Sequence, residues 1–233
     1  MPSLAIIGGS GLFASALFKS YKLGLIKSKY GDVYVKVKDE ILFLQRHGKD
    51  NSIPPHLINH KANIHALKAV KVEKIIAVNS VGSLSKWIKP GSLVVPDDYI
   101  SLWKSNTFME SFGEFITPSL SEEVRQELIQ TAKNLGIKVR EKGIYVQTVG
   151  PRYETKAEIK LLKRFADIVG MTMASEAALA QEAGIPYASL CTVDNYAHGL
   201  VKQPFSHEQV VEGQKANLEQ VERILHEILQ KVA

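Results

Sequence analysis

The sequence predicts one α/β domain built on a largely parallel or mixed sheet. Short runs rich in Ile, Val and Leu alternate with segments of helical apolar spacing along the whole chain. The 233 residues are 45% hydrophobic and 23% charged, a globular balance that excludes a disordered or fibrous chain. No linker, repeat or low-complexity stretch divides it, so residues 1–233 read as a single domain.

The elements follow in order. Residues 3–7 (SLAII) read as a buried strand, followed by the turn Gly8-Gly9-Ser10-Gly11 and a weak helix. Residues 32–37 and 41–45 read as a hairpin. Ala62, Ile64, Leu67 and Val70 give residues 59–70 helical spacing. Residues 74–78 form a strand that runs into Asn79-Ser80-Val81-Gly82-Ser83, and Pro90-Gly91 turns the chain into a strand at 92–96. Ser119 and Ser121 ahead of Glu122 and Glu123 start a helix over 119–136, which Gly136 ends. A strand at 142–149, a helix at 155–166, a short strand at 168–171, a helix at 175–184 and a strand at 187–193 follow. A loop runs to Pro204, and Ser206 caps a long C-terminal helix.

The charge is mild: 29 basic against 24 acidic residues, formally +5. The lysines are scattered, which reads as a solvated basic surface rather than a nucleic-acid footprint and suits an anionic small substrate. Cys191 stands alone, which excludes a disulfide scaffold and a thiolate zinc site and fits a reducing cytoplasm. No apolar run approaches ~18 residues, and the N-terminus lacks a basic signal-peptide region, so a cytoplasmic protein without membrane contact is expected.

Five strand ends carry small or polar residues: Gly8-Gly9-Ser10-Gly11, Asn79-Ser80-Val81-Gly82, Gly150-Pro151-Arg152, Met171-Thr172 and Asp194-Asn195. Ligands sit at the carboxyl ends of strands in α/β sheets, so these segments are candidates for one pocket. The GGSG turn can aim backbone N–H groups and the Ser10 hydroxyl at an anion, although a plain strand-to-helix turn explains it equally well. It fits neither the dinucleotide fingerprint nor the P-loop. Arg46, at a strand end before His47 and Gly48, can grip phosphate with its fork, where a surface Arg-His pair is the plainer reading. His56 and His60, four apart, could share a helix face but lack a third metal ligand at suitable spacing. Glu154 can accept from a ring N–H, and Asn195 can both donate and accept, a pair suited to a heterocyclic base. Each also has an ordinary reading, as a helix-start glutamate and a turn asparagine.

Together these residues resemble the trimeric nucleoside phosphorylase family of purine nucleoside and methylthioadenosine/methylthioinosine phosphorylases. The resemblance is carried by IIGGSGL (6–12), RHG (46–48), NHKANIHALK (59–68), VNSVGSL (78–84), GPRYETKAE (150–158), VGMTMASEAALAQEAGIPYASL (169–190) and the stretch around Asn195. It implies a central mixed sheet, partly closed like a barrel and flanked by helices. It implies a homotrimer, or a dimer of trimers, with active sites near subunit interfaces. The reaction it implies is reversible phosphorolysis of a purine nucleoside, with inorganic phosphate as co-substrate and no metal or organic cofactor. Phosphate falls to Ser10, Arg46, His47, the backbone N–H groups of Asn79-Ser80, and Thr172. By the same resemblance Met171 is expected against the sugar, Tyr153 under the purine, and Phe115 over a neighbouring subunit's sugar.

Glu154 and Asn195 carry the chemistry and the base choice. A 6-oxopurine offers an N1–H donor to the Glu154 carboxylate and an O6 acceptor to the Asn195 amide, whereas adenine turns an unprotonated N1 toward the carboxylate. Adenine-selective relatives have aspartate at the position of Asn195, another acid at that of Ala197 and serine at that of Glu154. Inosine, guanosine or methylthioinosine is therefore expected ahead of methylthioadenosine. A one-residue register shift would bring Asp194 to the base. His207 matches a histidine that serves a 5′-hydroxyl, while motifs such as RHG and GMTMASEAALA stand nearer the methylthio branch. A non-catalytic purine-binding module and a nucleoside hydrolase are the alternatives from other classes.

Overall fold

The structure, a computed structural model of the chain, describes residues 2–13, 15–103, 106–110 and 115–232. Its strands are β1 (Leu4–Gly8), β2 (Lys22–Ile26), β3 (Val33–Lys38), β4 (Ile41–Gln45), β5 (Lys74–Ser83), β6 (Leu93–Val94), β7 (Asp98–Ser101), β8 (Val139–Arg140), β9 (Ile144–Gln147), β10 (Ile168–Gly170) and β11 (Tyr187–Tyr196). The helices are α1 (Ser10–Phe13), α2 (His60–Ala69), α3 (Glu122–Asn134), α4 (Lys156–Leu162), α5 (Met173–Glu182) and α6 (His207–Val232). One mixed sheet runs β2-β3-β4-β1-β5-β10-β9-β7, and β11 joins β5 to β6 and β8.

Both faces of the sheet are covered, which is why the central strands read as unbroken apolar runs rather than alternating ones. Along β1, Leu4 and Ile6 enter one core with Val124 and Leu128 of α3 and Ile224 and Leu225 of α6. Ala5 and Ile7 enter the opposite core with Ile64 and Leu67 of α2 and Met173 and Ala177 of α5. The period-two alternation of the strand thus sorts its side chains into two helical layers.

The helix starts follow their capping chemistry. Ser121 accepts from the Val124 amide at the head of α3. Thr155 and Glu158 close a reciprocal capping box on α4, and Ser206 and Gln209 exchange bonds at 3.4 and 3.3 Å before α6. Among the described residues no helix is long and apolar enough to cross a membrane.

Several boundaries differ from the sequence reading. β2, β7 and β8 arise from segments that carry no strong apolar run. The helix read over 155–166 is α4, and the loop read after 193 is strand as far as Tyr196. The strand read as ending at 78 continues through Ser83. His56 lies in a 3₁₀ turn at Pro55–Leu57, outside α2, so His56 and His60 share no helix face.

Strand β5 sets up the site. β1 runs parallel to it and leaves at Ala77, while β10 runs antiparallel to it and begins at Gly82. Between those points one edge of β5 has no strand partner over residues 78–81, and its other edge stays paired to β11. The sheet opens where its strand direction changes, the place at which α/β sheets bind ligands.

Candidate active site

A cleft of about 510 Å³ opens at this split. All five strand-end segments contribute to its wall: Gly9 and Ser10, Ser80 to Gly82, Pro151, Met171 and Thr172, and Asn195. Arg46, His47, Tyr153, Glu154, Ala197 and His207 complete the sequence-expected set that lines it.

Arg46 directly follows β4 and is only 2% exposed. Its Nε donates to Glu176 Oε1 at 2.6 Å and its Nη2 to Glu176 Oε2 at 3.1 Å. Nη1 donates to the Val78 carbonyl at 2.7 Å and Nη2 to that of Ile7 at 3.4 Å. Four of the five guanidinium hydrogens are thereby engaged, leaving one on Nη1. A Cβ on Gly9 would sit 2.6 Å from Nη1, so glycine is what lets the β1 turn pass over the arginine.

Thr172 is held by a relay behind the wall. Ser189 Oγ donates to Asn79 Oδ1 at 2.7 Å, and Asn79 Nδ2 donates to Thr172 Oγ1 at 2.8 Å. The Thr172 hydroxyl is an acceptor in this chain, so its own hydrogen is left for the cleft. The Asn79 side chain is fully buried and acts through Thr172. The Thr172 and Met173 amides at the head of α5 donate to the buried Tyr145 hydroxyl at 3.1 and 3.2 Å, so neither is spare for an anion.

His47 Nδ1 donates to the Ile53 carbonyl at 2.7 Å. Burial, with the Arg46 charge adding to it, pushes the imidazole below its usual pKa. The neutral ring presents Nε2 as an acceptor, and the protonated ring would present a donor. Ser10 Oγ lies 3.4 Å from Asn51 Oδ1, which also accepts from Gln45 Nε2 at 3.0 Å.

Glu154 is 7% exposed and precedes the α4 cap rather than forming it. Thr148 Oγ1 donates to its Oε1 at 2.5 Å, leaving Oε2 for a ligand. Asn195 Nδ2 donates to the Tyr196 carbonyl at 2.8 Å and keeps a second N–H. The pairing of β11 with β5 slips between Val193 and Asn195, so Asp194 occupies a bulge. Asp194 turns to Ser80 and Asn217, and Asn195, not Asp194, lines the cleft.

Met171 packs under Gly150, whose φ of +71° favours glycine and where an added Cβ would sit 2.6 Å from the Met171 sulfur. Tyr153 OH and His207 Nδ1 are hydrogen-bonded at 2.7 Å, and Phe205 meets the Tyr153 ring edge-on at 4.6 Å. Phe115 is 79% exposed and is not among the residues lining its own chain's cleft.

Four of the contributors that sequence reasoning missed stand out. Glu176 sits within an apolar helix, and its signal was a lone acid among alanines in MASEAALA. His198 lines the cleft with Nδ1 on the Glu154 carbonyl at 3.0 Å. Gln214 reaches Ser80 from α6 at 3.1 Å, and Phe205 comes from the loop before that helix. The last three depend on chain packing that no local pattern announces.

Free donors of Arg46 and Thr172 share one cleft with the polar pair Glu154 and Asn195. The family model described as the phosphorylase superfamily matches residues 3–230, and the chain belongs to this superfamily. It is 38% identical to the 6-oxopurine nucleoside phosphorylase of Pyrococcus furiosus, covering 97% of this chain and 91% of that one. It is 36% identical to the S-methyl-5′-thioadenosine phosphorylase of Pyrococcus abyssi, covering 100% and 93%. Among solved structures, the Schistosoma mansoni methylthioadenosine phosphorylase in complex with adenine superposes with a TM-score of 0.90 at 30% identity, covering 98% of this chain and 91% of that one.

Proposed function

We propose that the protein is a purine nucleoside phosphorylase selective for 6-oxopurines. It cleaves the N-glycosidic bond of inosine, guanosine or methylthioinosine with inorganic phosphate, reversibly, to give free purine and a sugar 1-phosphate. The observation that carries the base preference is Glu154. Its carboxylate is buried, is oriented by Thr148, and has one oxygen left to accept. A purine N1–H satisfies that oxygen, whereas an adenine N1 lone pair leaves two acceptors opposed.

The chemistry follows from charge. Bond breaking makes the sugar positive and the departing purine negative. Phosphate held by the Thr172 hydroxyl, Ser10, His47 and the remaining Arg46 hydrogen lies beside the sugar and stabilises its charge. The free Asn195 N–H offers a donor to the purine at N7 or O6. Holding both reactants in one cleft does the rest, and no covalent enzyme intermediate is required.

A methylthio group at the sugar 5′ position is the second reading. His207 is hydrogen-bonded to Tyr153, and Phe205 and Val210 share that wall, so the surroundings of His207 are partly apolar. The proposal includes a cytoplasmic homotrimer, or a dimer of trimers, in which the exposed Phe115 reaches a neighbouring sugar site.

The test is a panel of inosine, guanosine, adenosine, methylthioinosine and methylthioadenosine, each with and without phosphate. Purine release from the 6-oxo substrates is expected only with phosphate. Equal release without it would indicate a hydrolase, and binding without release a non-catalytic module.

A further inference from the structure

Asp194 is a buried carboxylate with no cation beside it. It is 3% exposed, and none of the ion pairs among the described residues includes it. Its Oδ2 accepts from Ser80 Oγ on β5, and its Oδ1 accepts from Asn217 Nδ2 on α6 at 2.7 Å. The other titratable and charged groups nearby bring no compensation. Cys191 on β11 is neutral, its thiol pushed up to about 12 by burial. Arg46 is already paired with Glu176, and Glu212 of α6, which shares a neighbouring cavity with Asp194, is itself acidic. A buried charge without a partner is costly, and burial pushes the Asp194 carboxyl up to about 6 against the pull of its hydrogen bonds.

Ser80 links this group to the cleft. It lines the cleft wall, it spends its one hydrogen on Asp194, and it accepts from Gln214 Nε2 at 3.1 Å. While Asp194 is ionised, Ser80 can show an anion only lone pairs. Once one solvent proton is on Oδ2, the carboxyl O–H can donate to Ser80 Oγ, and the Ser80 hydrogen is free to turn into the cleft.

We propose that Asp194 is a positioning residue of the phosphate subsite: a proton taken up by Asp194 hands the Ser80 hydroxyl from the carboxylate to the bound anion. The inference rests on the phosphate reading of the cleft. No heavy-atom bond changes, and the binding of one anion is linked to the uptake of one proton.

The experiment measures sulfate as a competitor of phosphate, because sulfate keeps its charge where phosphate titrates. Inhibition constants are taken from about pH 5.5 to about pH 7.5 for wild type, Asp194→Asn, Ser80→Ala and the double variant. His47 is unchanged in all four, so the difference between them isolates Asp194. Sulfate inhibition is expected to weaken with rising pH by about three- to tenfold more in wild type than in Asp194→Asn. Ser80→Ala is expected to show the same flattened profile, with no further change in the double variant. Because Ser80 is exposed, that single variant carries the comparison should Asp194→Asn not fold. Equal pH profiles in wild type and both single variants would overturn the proposal, as would an Asp194→Asn effect that persists without the Ser80 hydroxyl. Sulfate that fails to compete in any form would instead overturn the phosphate subsite, and the proposal with it.

Discussion

Arg46 and Glu176 face each other through two parallel hydrogen bonds of 2.6 and 3.1 Å, with both side chains at most 2% exposed. Tyr187 OH donates to Glu176 Oε2 at 2.9 Å and fixes the carboxylate from behind. The pair ties α5 to the end of β4, the middle of β5 and the end of β1, the three strands that meet at the cleft. The arginine expected to grip phosphate is therefore first a structural residue, with one hydrogen left over.

Replacing Glu176 with Gln leaves a buried guanidinium without a counter-charge. The variant should lose on the order of 3–5 kcal/mol of stability. A bound anion can supply part of the missing charge, so saturating phosphate should raise the variant's melting temperature by more than it raises that of wild type. Thermal denaturation with and without phosphate checks this, and an identical phosphate shift in both proteins would place Arg46 out of the anion's reach.

Thr172→Val keeps the shape of the side chain and removes the hydroxyl that the Asn79 relay orients. The loss of kcat/KM for phosphate should correspond to about 1–3 kcal/mol, with nucleoside KM little changed. Steady-state kinetics with each substrate varied in turn checks the split. A loss confined to nucleoside KM would move Thr172 out of the phosphate subsite.

His60 gives the fold an acid limit. The ring is buried beside α5, its Nδ1 has no hydrogen-bond partner, and burial lowers its pKa to about 4. Its folded pKa lies below the unfolded value, so the unfolded chain binds the extra proton. The stability contribution is complete above about pH 6.5 and is lost as pH falls from there toward about 4, by up to on the order of 3 kcal/mol. Denaturant midpoints across that window should fall in wild type and fall less in His60→Gln. Parallel slopes would show that other groups set the acid limit.

Much of this site was legible in the residues, because ligand contacts in an α/β sheet cluster at strand ends and strand ends announce themselves by glycines and short polar runs. Ser10, Arg46, Thr172 and Asn195 were found that way, and all four line one cleft. The same rule misplaced the ends themselves. Asn79 to Ser83 and Asp194 to Tyr196 look like loop but continue β5 and β11, because each strand keeps a partner on one edge while the other edge opens. The bulge at Asp194, which turns Asn195 rather than Asp194 into the cleft, is a pairing event between two distant segments. Glu176 was hidden for a related reason: an acid in an alanine-rich helix becomes buried only because Arg46 arrives from β4 to meet it.

In the proposed function, Glu154 and Asn195 together carry the base preference. In Asn195→Asp a carboxylate replaces the amide beside O6 and N7, so turnover of 6-oxo substrates should fall by the equivalent of about 1–3 kcal/mol. Preference should move toward 6-aminopurines without reversing while Glu154 remains, and adding Glu154→Ser should carry it further.

The most direct test of selectivity needs no variant. It is kcat/KM with saturating phosphate for a matched pair differing only at C6, inosine against adenosine or methylthioinosine against methylthioadenosine. A clear preference for the 6-oxo member is expected, since the buried Glu154 oxygen meets a proton in one and a lone pair in the other. A wild-type enzyme that favours the 6-amino member would contradict the account and return an acid, Asp194, to the base.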